Sequence, residues 1–179
     1  WDITHVFQVA YVYELPFGRN KRWGSSWAKG VDLALGGWSI EGFTRMQTGA
    51  PVNVVSGTDR ANVGRTYQRP NVSCNPNNGP RTPDEWFSKS CFSLPAIFEY
   101  GNAGAFFVNA DGRHNWDMSI MKQFFLNDQH KLQFRTELFN AFNHVKMGNP
   151  SSNFSALSFA QVASATPARR IQFVLRYEF

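Results

Sequence analysis

The chain has 179 residues, about the size of one domain, with 42% apolar, 16% aromatic and only 17% charged residues and a formal net charge of +5. The 17 Phe and 6 Trp exclude a disordered chain, which lacks large apolar groups, and no run approaches the roughly 18 apolar residues of a membrane-crossing helix. The basic clusters, Arg19–Asn20–Lys21–Arg22 and Arg169–Arg170, are too small for a nucleic-acid surface, so no nucleic-acid partner is expected.

In chain order, "HVFQVAYVYELP" comes first. Phe7, Val9, Tyr11, Tyr13 and Leu15 share one face, and Gln8, Ala10, Val12 and Glu14 share the other. This period of two predicts a strand, ended by Pro16 and Gly18. Residues 17–36 are a connection in which "SSWAKGVDLALGG" predicts a short helix, capped by Ser25 or Ser26 and stopped by Gly36. "GGWSIEGFTRMQTGAPVNVVS" predicts a second strand, with Trp38, Ile40, Gly42 and Met46 opposed to Glu41, Arg45 and Gln47; Phe43 falls on the polar side. Residues 57–112 read as a long irregular stretch rich in Gly, Pro and Asn. Within it "TPDEWF" predicts a helix start, with Thr82 as cap, Pro83 in the first turn and Glu85 closing a capping box. "NWDMSIMKQFFL" predicts a third strand, placing Trp116, Met118, Ile120, Phe124 and Leu126 on a face that Lys122 interrupts. Residues 127–130, "NDQH", predict a tight turn. "KLQFRTELFNAFNH" predicts a fourth strand, with Leu132, Phe134, Leu138 and Phe142 against Lys131, Gln133, Arg135 and Glu137. Residues 145–168 are a second long polar loop. In "IQFVLRYEF", Ile171, Phe173, Leu175, Tyr177 and Phe179 alternate with Gln172, Val174, Arg176 and Glu178, a fifth strand.

These elements give an all-β class: an antiparallel up-and-down transmembrane β-barrel segment of five long strands with long external loops. Each strand reaches the roughly 9–11 residues that cross a bilayer at a tilt. If the strands run up and down, loops 57–112 and 145–168 fall at one end, and the tight turn and Phe179 at the other. Short turns at one end and long loops at the other is an outer-membrane pattern. Alternation also fits a soluble sheet, so the alternative is a secreted or surface β-sandwich for adhesion or binding. Three details favour the membrane. Tyr13, Trp38, Trp116, Tyr177 and Phe179 stand near strand ends, where aromatic girdles lie. Arg135 and Glu137 stand mid-strand on the polar faces, and Arg135 on the lipid side would cost roughly 2–4 kcal/mol. The apolar alternation also continues to Phe179.

Cys74 and Cys91 lie in the polar stretch with no zinc-ligand spacing around them. They read as a disulfide closing a short loop, worth about 3 kcal/mol and placing that loop in an oxidising compartment; two free thiols are the alternative. The loop aromatics Trp86, Phe98, Tyr100 and Phe106 are expected to pack the loop onto itself, with substrate contact by Trp86, Phe98 and Tyr100 as the alternative. "GNAG" at 101–104 lacks the Lys-Ser/Thr pair of a phosphate loop and reads as a turn. His5, His114, His130 and His144 are scattered, and no "GxSxG" elbow occurs. No catalytic residue, metal site or cofactor is therefore expected, and the chain reads as no enzyme. The opening residues Trp1–Asp2–Ile3–Thr4–His5 are not a signal peptide, so residue 1 is expected to lie inside a longer natural chain.

The ending, Ile171, Phe173, Leu175, Tyr177 and Phe179, resembles the C-terminal signature of bacterial outer-membrane barrels, which the barrel-assembly machinery reads. The ordered set "HVFQVAYVYELPFG", "LGGWSIEGFTRMQTGAPVNV", "RPNV", "WFSKSCFSLP", "YGNAG", "NWDMSIMKQF" and "FRTELFNAFNH" resembles the C-terminal part of TonB-dependent receptors of the Oar-like type, which carry an N-terminal carboxypeptidase-regulatory-like domain. The chain departs from that pattern at Ala105, where an Arg is expected. The resemblance implies that residues 1–179 are the C-terminal portion of a 22-stranded, plugged barrel in the cell outer membrane, with the plug and earlier strands outside this sequence. It implies outer-membrane lipid as a partner, a TonB complex reached through the missing plug, and an unidentified small-molecule, saccharide or peptide substrate.

Overall fold

The computed structural model describes residues 3–127 and 129–179. Asp128, within the turn expected at 127–130, lies outside the described residues. Among the described residues nine strands form: β1 (Val6–Glu14), β2 (Trp38–Gln47), β3 (Pro51–Val52), β4 (Asn71–Val72), β5 (Phe92–Ser93), β6 (Val108–Asn109), β7 (Arg113–Phe125), β8 (Lys131–Phe139) and β9 (Arg170–Glu178). An α-helix of two turns, α1 (Lys29–Leu35), lies between β1 and β2. The five long strands make one sheet in the order β1-β2-β7-β8-β9, while β3 pairs with β6 and β4 with β5. The chain divides into two compact units, one holding most of the long strands and the other the two long loops.

In the sheet unit the expected parities converge. Leu132 faces Phe124 and Tyr177, Phe134 faces Lys122 and Leu175, and Leu138 faces Met118 and Ile171. The Leu15 amide donates to the Trp38 carbonyl, the Gln123 amide donates to that of Gly37, and the Tyr11 ring lies against Gly42. One sheet face therefore carries Phe7, Val9, Tyr11, Trp38, Ile40, Phe124, Phe134, Phe173 and Leu175. The opposite face carries Glu14, Glu41, Arg45, Gln123, Gln133, Arg135, Glu137 and Arg176. Phe43, Phe125 and Phe139 also point to that second face, so it is polar without being uniformly so.

The second unit has the molecule's apolar core. Val52, Val54, Phe87, Phe92, Val108, Phe159 and Val162 are buried together. Their rings meet edge to face: Phe87–Phe159 at 5.2 Å, Phe92–Phe159 at 5.5 Å and Phe154–Phe159 at 5.1 Å between centroids. The two loops are stitched by the Trp86 amide donating to the Ala160 carbonyl and the Val162 amide to that of Pro83, both at 2.8 Å. What reads as irregular sequence thus packs as a small folded body.

Several local expectations are corrected. The second strand ends at Gln47 and not at Ser56, because Val52, Val54 and Ser56 are buried in the loop unit. The fourth strand ends at Phe139, since Asn140 and Asn143 take left-handed φ values of 54° and 56°. Phe142 consequently leaves the strand and meets Trp116 edge-on at 5.5 Å. The helix near residue 25 starts later, at Lys29 with Ala28 as an uncapped N-cap, although Gly36 does terminate it. "TPDEWF" forms no helix. Thr82 Oγ1 accepts the Glu85 amide at 3.2 Å, but the Glu85 carboxylate turns to the Lys89 amide at 2.9 Å. "GNAG" is no tight turn; it runs beside residues 70–72, the Ala103 amide donating to the Pro70 carbonyl at 3.1 Å.

Candidate functional site

The feature that sets this molecule apart is a surface. Ile171, Phe173, Leu175 and Tyr177 on β9, and Phe179 just past it, lie between 52 and 92% exposed. Among the described residues of the sheet unit, no second sheet packs over them. Phe134 stacks on Phe173 at 6.0 Å, extending the apolar surface across the β8–β9 pair. A contiguous apolar patch of this kind on a folded chain marks contact with a partner or a membrane. Aromatic residues close it at both ends: Tyr13, Trp38, Tyr177 and Phe179 at the turn end, and Trp116 with Phe142 at the loop end.

Lys122 lies inside that face. It is only 2% exposed, and its ammonium sits 5.5 Å from the Trp38 ring centre and 5.0 Å from that of Phe124. Its Nζ donates to the Gly36 carbonyl, one of the carbonyls freed at the end of α1. A long stem under aromatic rings with its charge carried to the end of a strand is snorkelling. Lys122 therefore belongs to the girdle, which removes its conflict with the pattern.

The opposite face pairs charges along and across strands. Arg135 meets Glu137 at 3.0 Å and Arg176 meets Glu178 at 3.3 Å. Gln133 stands between Gln123 and Arg176, and Lys131 stands opposite Glu178. Such a face suits water and not hydrocarbon.

The expected site residues separate between the two units. Ile171, Phe173, Leu175 and Tyr177 form one stripe on β9, and Phe179 follows directly after the strand. Cys74 and Cys91 are bonded, with Cα atoms 5.1 Å apart, and Cys91 is buried in the loop core beside Phe92. Trp86 is also in that core, its indole donating to the Asn109 carbonyl at 3.0 Å and the Arg81 guanidinium lying over its ring. Phe98 and Tyr100, by contrast, are exposed. Phe98 also holds a φ of 68°, unusual for a bulky residue; its amide is held by the Arg60 carbonyl at 2.7 Å. Next to it, the Asp59 carboxylate accepts the Val63 and Gly64 amides at 3.0 and 2.7 Å and is also bonded by Gln68. The Val63 amide is the main cause holding the Asp59 carboxyl below its ordinary value, against a smaller opposing effect of desolvation. Two features escaped the sequence reading: the Lys122 anchor and the shared core of the two loops. Trp38 and Phe124, placed to flank Lys122, were the available signal for the first.

The family description "Outer membrane beta barrel domain" matches residues 1–172. Neither a curated protein nor a solved structure matches the chain. The match spans nearly the whole sequence and agrees with the antiparallel five-stranded sheet and its exposed apolar face. The protein is thus one of the outer membrane, and the chain belongs to the outer membrane beta barrel domain family.

Proposed function

We propose that this chain is the C-terminal portion of a TonB-dependent receptor of the Oar-like type, forming barrel wall and external loops for energised uptake. Residues 1–179 act as one structural segment and carry no catalysis of their own. The carrying observation is the open sheet: β1 and β9 are its edges, and bare strand edges are not tolerated in hydrocarbon. Further strands must complete the wall, and barrels wide enough for a plugged lumen have about 22. The ordered motifs from "HVFQVAYVYELPFG" to "FRTELFNAFNH" support this receptor type over a small closed barrel. The Ile171–Phe179 stripe serves the barrel-assembly machinery, and the TonB complex acts through a plug encoded ahead of residue 1. Exposed Phe98 and Tyr100 are the contacts we assign to a small-molecule, saccharide or peptide cargo; Trp86 instead supports the loop core.

The whole gene product tests the reading. Cells producing it, offered a panel of ferric chelates, saccharides and peptides, are expected to accumulate at least one of them only when their TonB complex works. Equal accumulation with and without that complex contradicts it. So would an upstream coding sequence with no plug-like domain and few further strands.

A further inference from the structure

The turn end of an outer-membrane barrel faces the periplasm and normally carries short connections. The β7–β8 hairpin obeys this, but the β1–β2 connection at the same end runs through residues 15–37. We propose that this connection is a fixed ledge across the water-facing side of the sheet, and that it limits access to that side from the periplasm. The inference rests on the barrel family and on which end bears the hairpin, and is independent of the transport reading.

Placement is the first support. A cavity of about 990 Å³ lies between the connection and the sheet. Trp27 and Leu33 line it from the connection, and Ser39, Met121, Gln123 and Lys131 line it from the sheet. Met121, Gln123 and Lys131 belong to the polar face by their register with β8 and β9. The connection therefore reaches under the water-facing side of the sheet.

Rigidity is the second. Asp32 Oδ1 accepts the Arg19 amide at 2.7 Å, joining the two arms, and the Asp32 carbonyl accepts the Gly36 amide at 2.8 Å, closing the last turn of α1. Gly18 and Gly36 meet so closely that a Cβ on Gly18 would lie 2.7 Å from the Gly36 Cα, and Gly18 has a φ of 110° that favours glycine. The Gly18 amide donates to the Trp23 carbonyl at 2.8 Å, and Phe17 packs on Trp23 at 5.4 Å. The Trp38 indole reaches the Ala34 carbonyl at 3.0 Å, and Lys21 pairs with Glu14. A slack linker has no use for so many convergent bonds.

The test uses the full-length receptor in its membrane. The two cysteines of residues 1–179 are bonded to each other, so once any cysteine elsewhere in the protein is replaced by serine, a cysteine placed at Gln123 is a clean reporter. Cells with a permeabilised periplasmic side are treated with a bulky maleimide. Gln123→Cys is expected to label at least ten times faster once residues 20–33 are replaced by a short Gly-Ser link. Asp32→Ala, which releases the Arg19 amide, is expected to give a smaller acceleration. Gln172→Cys, on the same face but outside the cavity, reports any general opening and is expected not to change. Folding of each variant is checked by resistance to unfolding in detergent. Equal labelling of Gln123→Cys in folded receptors with and without the connection overturns the proposal, as does a parallel acceleration at Gln172→Cys.

Discussion

Lys122 shows how one charge fits on a face that meets hydrocarbon. The ammonium keeps its hydrogen bond to the Gly36 carbonyl and its position over the Trp38 and Phe124 rings. Removing it takes away a charge-assisted bond and leaves that carbonyl without its donor. Lys122→Ala is expected to lower the unfolding free energy of the membrane-inserted barrel by about 2 kcal/mol. A urea titration in lipid vesicles checks it, and an unchanged midpoint would mean the bond contributes nothing. Alternation alone marked Lys122 as an interruption and could not say more. Its partner is a carbonyl brought within reach by the β1–β2 connection, and period-two reading sees side-chain parity and not where a connection returns.

The five long strands were readable because one rule, apolar at alternate positions, runs through them, and β9 follows it without a break. Their ends were less readable. Val52 and Val54 continue the β2 alternation in sequence, but they bury into the loop core. Parity cannot distinguish a strand that carries on from a loop that keeps the same spacing for its own packing. The β8 stop depends on left-handed Asn140 and Asn143, a conformation Asn tolerates without announcing it. Two predictions belong to elements. Phe179→Ala, at the end of the apolar stripe, is expected to reduce the amount of barrel assembled in the outer membrane. Quantifying folded barrel in membrane fractions checks this, and equal amounts would remove the stripe from the assembly signal. Cys74→Ser opens the loop that closes at Cys91, a separation of 17 residues, and is expected to destabilise the loop unit by about 3 kcal/mol. Protease cleavage within residues 57–112, on intact cells, should become faster. Unchanged cleavage would show that the aromatic core holds the loops unaided.

At the scale of the molecule, the chain places its best-packed core in its loops and leaves its sheet apolar on the outside. That is the reverse of a soluble domain, whose sheets bury their apolar faces against each other. It follows once one solvent is hydrocarbon: the sheet needs no second layer, and the loops, standing in water, do. The sequence reading reached the first half through parity. A loop packed on itself was also expected, and buried Trp86 bears it out; that both loops share one core was missed, because the core joins residues as distant as Val54 and Phe159 without a repeating period. The most direct measurement is solvent accessibility along β8 and β9 in the barrel protein reconstituted in lipid. Spin labels placed singly at Phe134, Leu175, Gln133 and Arg176 report collision with oxygen, which concentrates in hydrocarbon, and with a water-soluble relaxation agent. High oxygen accessibility at positions 134 and 175, with the water-soluble agent preferring 133 and 176, is the predicted result. Labels at 134 and 175 shielded from oxygen, or the two pairs reversed, would contradict the account.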